Sequence, residues 1–297
     1  MQAVVNPTLE GAKQLVDGEF PFTIADFRMI AAILHGDAGI ALSESKATLV
    51  YSRLAKRLRL LGMESFRDYC ALIESKGGGD ERLHMLAALT TNVTRFFREP
   101  HHFEHLKTKV LPGLIAKAKA GARVRLWSAA CSSGPEPYSI ALTLLSLLPD
   151  AARYDIKILA SDIDPNMVAE GLAGVYGAAA LEPVPTAMRD RWFKPMAARR
   201  GEACWSAGDD LRALIAFREL NLVGDWPMKG QFQAIFCRNV VIYFDDATQA
   251  KLWSRFAPLI GPQGVLYIGH SERVSGPAAQ RLQPIGVTTY GLVEPAR

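Results

Sequence analysis

From about Arg123 onward the chain alternates short apolar strands with helices, and no other feature constrains its fold as much. Val124-Arg125-Leu126-Trp127 reads as a strand. It runs into the turn Ser132-Ser133-Gly134-Pro135 and then a helix over 136–148. A second strand, 156–160, ends in Ser161-Asp162-Ile163-Asp164-Pro165, where Asp164 suits a helix N-cap and Pro165 the first helical position. Further strands are predicted over 232–237, 265–269 and 287–293, with a helix over about 246–259. Such alternation builds an α/β, doubly wound parallel sheet. Between about Gly174 and Leu220 it stalls in a segment rich in Pro, Arg and Gly, with apolar pieces at 203–205 and 214–217. That segment reads as an insertion over about 175–220, forming a small antiparallel β-subdomain.

Before residue 120 no strand-like pattern occurs. Thr23 and Asp26 match a capping arrangement, with Phe27, Ile30 and Leu34 on one helical face. A helix over 45–61 carries the stripe Val50, Leu54, Leu58 and Leu61 and ends at Gly62. Helices over 65–75 (Phe66, Tyr69, Ile73) and 80–90 follow, separated by Gly77-Gly78-Gly79. The organisation is a small all-helical domain over 1–90 and a sheet domain over 91–297, and 297 residues suit two domains.

Composition narrows the function classes. With 49% hydrophobic and 22% charged residues the chain can bury a core and is not of disordered type. A net charge of +4 calls for neither nucleic acid nor an acidic membrane. Cys70, Cys131, Cys204 and Cys237 are too far apart for a metal or redox motif, so no metal is expected and the thiols read as reduced, in a cytoplasmic protein. Residues 1–20 lack the basic start and apolar core of a signal peptide. The richest apolar stretch, 140–148, is interrupted by Thr143 and Ser146 and is far shorter than the roughly 20 residues of a membrane span.

Ligands of open α/β sheets bind at the carboxyl ends of the strands, and four groups of polar residues fall there. Ala130-Cys131-Ser132-Ser133-Gly134-Pro135-Glu136 is a small-residue loop that lets a ligand approach the backbone; equally, Ser133 and Glu136 form a capping box. It is not GxGxxG, so the dinucleotide fingerprint fails. Asp162 can accept from both hydroxyls of a ribose, or serve as a turn aspartate. Arg238 and Asn239 end an apolar strand and need partners, either a ligand or an interdomain salt bridge. Asn221-Leu222 can meet an adenine edge or make a turn.

Five segments taken in order, TTNVTRFFREPHHF, RLWSAACSSGPEPYSIA, ILASDIDPNMVAEG, QFQAIFCRNVVIYFDDATQ and GVLYIGHSE, resemble the CheR family of chemotaxis receptor methyltransferases. The resemblance runs from about Thr90 to the C-terminus. It implies a class I methyltransferase-like sheet with an inserted β-subdomain and a helical N-terminal domain. The implied cofactor is S-adenosyl-L-methionine, with S-adenosyl-L-homocysteine as product. By similarity Asn92, Thr94, Arg98, Glu136, Asp162, Asn221, Leu222, Arg238 and Asn239 occupy cofactor-contacting positions, and Arg98 and Tyr243 sit at the methyl-transfer centre. Pro135, where the family usually has a second glutamate, and Cys131, in place of a small residue, depart from the pattern.

The implied partner is the cytoplasmic helical region of a methyl-accepting receptor, so any membrane association is through the receptor alone. Lys46, Arg53, Lys56 and Arg57, close together on a helical wheel, are the predicted docking residues for its acidic segment. The other readings of that stripe are a solvated face and an RNA-binding surface, and nucleic acid is disfavoured because no aromatics are interleaved with it. A methyltransferase for RNA or a small molecule, and a cofactor-binding adaptor without turnover, are the competing functions. The missing glycine fingerprint disfavours a dehydrogenase.

Overall fold

The computed structural model describes residues 14–199 and 201–293, so most of the patternless stretch 1–18 lies outside the described residues. The chain divides into two compact units, 1–90 and 91–297.

The first unit is helical: α1 (Ile24–Ala38), α2 (Ala47–Leu61), α3 (Phe66–Glu74) and α4 (Gly79–Leu89). Thr23 and Asp26 close a reciprocal capping box at α1, and Gly62 ends α2 in the left-handed conformation, φ 67°. Phe27, Ile30, Leu34, Val50, Leu54, Leu58, Phe66, Tyr69 and Ile73 are buried as their periodicity predicts. Leu61 departs from its stripe and is 40% exposed: it is the last residue of α2, and the turn it closes is buried through Leu58 instead.

The second unit opens with α5 (Pro100–His105), one π turn, Leu106–Val110, and α6 (Leu111–Lys119). Then come β1 (Val124–Ala129), α7 (Pro135–Leu147), β2 (Ile156–Asp162) and α8 (Pro165–Ala173), which Asp164 caps as expected. Next are β3 (Val175–Gly177), α9 (Ala178–Leu181), α10 (Thr186–Trp192), β4 (Phe193–Arg199), β5 (Glu202–Ala207), α11 (Asp209–Leu214) and β6 (Ile215–Glu219). The chain finishes with β7 (Phe232–Cys237), α12 (Asp246–Phe256), β8 (Ile260–Ile268), β9 (Leu282–Gly286) and β10 (Thr289–Leu292).

Seven strands form one sheet in the order β6-β2-β1-β7-β8-β10-β9. β6, β2, β1, β7 and β8 run parallel, while β10 is antiparallel to both β8 and β9. The sheet is therefore mixed, not wholly parallel, because β9 and β10 form a closing hairpin. β1 and β7 are buried along nearly their whole length, as strands covered on both faces must be. The chain leaves β1 outward through β2 to β6, then returns to β7 and β8 on the other side. The β1/β7 boundary is thus the topological switch point, where the crevice for a ligand opens.

The small antiparallel sheet exists, in the order β3-β5-β4, but it ends at Ala207. The predicted insertion over 175–220 took in too much. Leu214 closes α11, and Ile215 to Glu219 pair in parallel with Ile158 to Asp162, so β6 belongs to the main sheet. Ile215 and Phe217 need the apolar cover the main sheet provides.

Candidate functional site: a network of buried carboxylates at the switch point

After β1 the chain turns through Ala130 (φ 60°), Ser132 (φ 51°) and Gly134 (φ 99°). Only glycine fits at 134: a Cβ there would lie 2.7 Å from the Tyr176 hydroxyl. Asp162, at the end of β2 and 5% exposed, holds this turn. One of its oxygens accepts the Ser132 N–H at 2.7 Å and the other the Asp164 N–H at 3.0 Å. Ser132 Oγ donates to the Asn92 carbonyl at 2.9 Å, and Asn92 Nδ2 donates to Asp164 at 3.0 Å. Burial pushes the Asp162 carboxyl above its ordinary range, and the Asp164 and Ser132 N–H groups hold it partly back. A carboxylate has about four acceptor positions, so Asp162 keeps capacity for hydroxyl donors.

Glu136 lies in the first turn of α7 and makes no capping box. Gly134 precedes the helix without a side-chain cap, and the Glu136 carboxylate turns inward. It accepts from Ser128 Oγ at 2.7 Å and from Arg238 Nη1 at 2.9 Å. Arg238, its side chain 1% exposed, also lies 3.5 Å from Glu99 and donates Nη2 to the Arg98 carbonyl. These partners all belong to the second unit, so the interdomain salt bridge is not what holds Arg238. Burial raises the Glu136 carboxyl, with Arg238 and Ser128 opposing. For Glu99 burial likewise pushes upward, but Arg238 and the hydrogen bond from His270 outweigh it and the carboxyl ends below its ordinary value.

Glu272 organises the far side. Its carboxylate accepts the backbone N–H groups of Asn239 (3.0 Å), Val240 (2.9 Å), Val241 (3.0 Å) and Gly269. Asn239 is itself at φ 59° and donates Nδ2 to Glu99 at 3.3 Å. Tyr243 ends the 3₁₀ turn Val241–Tyr243 that follows, and is half-buried.

The matches to known proteins agree with this geometry. Residues 92–290 match "CheR methyltransferase, SAM binding domain", and residues 25–90 match "CheR methyltransferase, all-alpha domain". The chain belongs to the CheR methyltransferase family. It is 56% identical to a probable chemotaxis protein methyltransferase of Rhizobium etli, over 87% of this chain and 96% of that one. It is 40% identical to chemotaxis protein methyltransferase 2 of Pseudomonas aeruginosa (96% and 99%) and 39% identical to the chemotaxis protein methyltransferase of Escherichia coli (90% and 91%). Among solved structures, the glycopeptide N-methyltransferase MtfA with sinefungin aligns at 11% identity over 55% of this chain and 49% of that one. Its TM-score of 0.29 is too low to carry an argument.

In this CheR-family chain the cofactor is S-adenosylmethionine, and the donor set fits it. A carboxylate in the first turn of α7 and one at the end of β2 suit hydroxyl, ammonium and sulfonium groups. Asn92, Glu136, Asp162, Arg238 and Asn239 stand together around the switch point. Arg98 gives its carbonyl to Arg238 and sends Nη1 to the Val93 carbonyl at 3.0 Å, and Thr94 is half-buried. Asn221 makes a turn, its Oδ1 accepting the Val223 N–H at 2.9 Å, while Leu222 is buried beside it. Cys131 is fully buried within the β1 loop, and burial pushes its thiol well up.

The sequence reading missed Glu99 and Glu272. Each is an unremarkable acidic residue until the fold brings it to a distant loop. It also missed that Glu99, His101 and His102 place one possible metal-ligand atom each within 4.8 Å of one another. One observation weighs against a cation there. Arg238 already lies 3.5 Å from Glu99 and supplies that carboxylate with a positive charge. Burial, then Arg238, lowers the His102 pKa to about 3, so the ring is neutral.

In the helical unit the four docking residues separate into two kinds. Arg57 grips the buried Glu81 through Nε (2.9 Å) and Nη2 (2.5 Å), and Tyr69 adds a third bond to that carboxylate. Arg53 donates to the Leu89 and Thr90 carbonyls at 2.8 Å, satisfying the end of α4. Lys46 and Lys56 are exposed.

Proposed function

We propose that this methyltransferase esterifies glutamate side chains on the cytoplasmic helical region of a chemotaxis-type receptor, and that it works in the cytoplasm. One observation carries the reading: the chain aligns over 96–99% of the length of two proteins named as chemotaxis methyltransferases. No described helix is long and apolar enough to cross a membrane, so the receptor would supply any contact with one.

The chemistry asks little of the protein beyond placement. S-adenosylmethionine supplies an electrophilic methyl group on a sulfonium. A glutamate carboxylate, reference pKa about 4.3, is already ionised at neutral pH and needs no general base. Methyl transfer between an anion and a cation disperses both charges, so alignment and removal of water are what the site must provide. In this reading Asp162 holds the ribose hydroxyls and Glu136 and Asn239 hold the amino-acid end. Asn92, Thr94, Asn221, Leu222 and Arg238 shape the rest of the pocket. Arg98 and Tyr243 orient the reacting groups. A strong ion pair from Arg98 to the acceptor would stabilise the ground state, so its role is orientation. Lys46 and Lys56 draw in the acidic receptor segment, while Arg53 and Arg57 build the surface that carries them.

The deciding experiment follows labelled methyl from S-adenosylmethionine to receptor-bearing membranes and asks for base-labile ester. Label that enters RNA, or label stable to base, overturns the reading.

A further inference from the structure

The strand order separates two halves of the crevice. Asp162 and Asn221 follow β2 and β6 on one side of the switch point, and Asn239 to Tyr243 follow β7 on the other. On that second side the connections leaving β7 and β8 enclose an open groove of about 480 Å³. That volume is within the range of specific binding clefts, about 300–1,000 Å³. Ile242, Asp246, Gln249, Ser271, Arg273 and Ser275 line it.

Two features tie the groove to the transfer centre, and a third suits it to a peptide. First, Val241 and Ile242 line it while Tyr243 completes the same 3₁₀ turn. Second, Glu272 also lines it and is the carboxylate that pins the Asn239–Val241 backbone, so the groove wall and the transfer loop are one rigid piece. Third, its lip is equipped for a peptide. Ile242 is an exposed aliphatic side chain at 48%, and Arg273 is the one cation in the lining, exposed like Asp246, the lining's one exposed acid. An enclosed pocket would suit a small acceptor. An open groove continuous with the transfer loop suits an acceptor whose chain continues past the reacting side chain.

We propose that this groove seats the polypeptide flanking the methyl-accepting glutamate, with Ile242 against an apolar side chain of the acceptor and Arg273 against a second acidic one. The inference rests on the protein-acceptor reading above and adds a specificity surface to it. Neither residue belongs to the cofactor network.

The test uses the full-length protein, receptor-bearing membranes and labelled S-adenosylmethionine, with Arg273→Glu, Ile242→Ser and the conservative Arg273→Lys. Loss of one exposed ion pair and gain of a like-charge contact should raise the receptor KM about fivefold in Arg273→Glu. The value of kcat should stay within about twofold, as expected when uniform binding is lost. Affinity for S-adenosylhomocysteine, by calorimetry, should be unchanged, and Arg273→Lys should recover most of the KM. An unchanged KM in both Arg273→Glu and Ile242→Ser overturns the groove. So does a fall in S-adenosylhomocysteine affinity, which would assign these residues to the cofactor half. If the wild type makes no ester on the receptor at all, the proposed function falls and the groove assignment with it.

Discussion

Removing the cation from Arg238 tests whether the buried carboxylates are organised around it. Arg238 lies 2.9 Å from Glu136 and 3.5 Å from Glu99, with its side chain 1% exposed and theirs 12% each. At an effective dielectric of about 20 the gross attractions are roughly 6 and 5 kcal/mol. Much of this offsets the cost of removing three charges from water, so the pair energies are not the loss to expect. Truncation to Arg238→Met takes the guanidinium from two buried carboxylates, and breaking a buried pair in this way costs about 3–5 kcal/mol. The loss should depend on pH with a definite sign. Without the guanidinium both carboxyls would have folded-state pKa values above their unfolded ones. A carboxyl raised in this way favours the folded state at low pH and opposes it as pH rises through the folded value. The deficit of Arg238→Met should therefore be largest at pH 7 and shrink toward pH 5. Urea unfolding of both proteins at the two pH values measures it. A deficit under about 1 kcal/mol at pH 7, or one of equal size at pH 5, would refute the reasoning.

Further outcomes follow from the same geometry. Asp162→Ala should weaken S-adenosylhomocysteine binding by about 1.5–3 kcal/mol if it holds the ribose, and unchanged affinity by calorimetry would reject that role. Arg98→Ala and Tyr243→Phe should lower kcat about tenfold or more, and steady-state kinetics showing only a raised KM would place them outside the transfer centre. His102, buried and lowered to about 3, stays neutral in the fold while the unfolded ring takes a proton near 6.5. Its contribution is present above 6.5 and is lost as pH falls toward 3, at about 1.4 kcal/mol per pH unit. His102→Gln should flatten the stability-against-pH curve by one proton in that window, measured by urea titrations. Lys46→Glu with Lys56→Glu should slow receptor methylation at low salt more than at high salt and leave cofactor affinity alone. Rates equal to wild type at both salts would make this face a solvated surface only.

Lys46 and Lys56 replace the more obvious Arg53 and Arg57 in that test for a reason the helical wheel could not supply. A wheel shows that four cations share a sector. It does not show that Glu81, on another helix, reaches Arg57, or that the end of α4 presents its carbonyls to Arg53. What was legible was local. The Thr23 box, the Gly62 terminus and the Asp164-Pro165 start are written in a few adjacent residues. Asp162 could be placed because a polar residue ending an apolar strand is conspicuous. The sequence does not show β9, because Gln283 and Pro284 interrupt its apolar pattern, and it shows a strand ending at Asn221 without revealing that 215–217 belong to it, because the partner strand β2 lies more than 50 residues earlier. Glu272 was invisible for the same reason, since the N–H groups it serves at Asn239 are 33 positions away.

That distance explains how the crevice is held open. Seven non-glycine residues among those described have positive φ, and five of them, Phe97, Glu99, Ala130, Ser132 and Asn239, lie in the loops around the switch point. Each costs on the order of 1–3 kcal/mol and persists only where the surroundings over-determine it. At two of the five the determining group is an acid remote in sequence, and at Phe97 it is the Ser139 hydroxyl, which accepts the Phe97 N–H at 2.9 Å. Asp162 accepts from the strained Ser132, and Glu272 accepts from the strained Asn239 and its two successors. Glu99, strained itself, receives Asn239 and stands beside Arg238. Backbone strain and buried charge are each unfavourable alone. Together they fix loops that would otherwise relax into the crevice, and the sheet brings them together only once β1, β2, β7 and β8 have paired. The site is therefore formed by the same long-range strand pairing that forms the core.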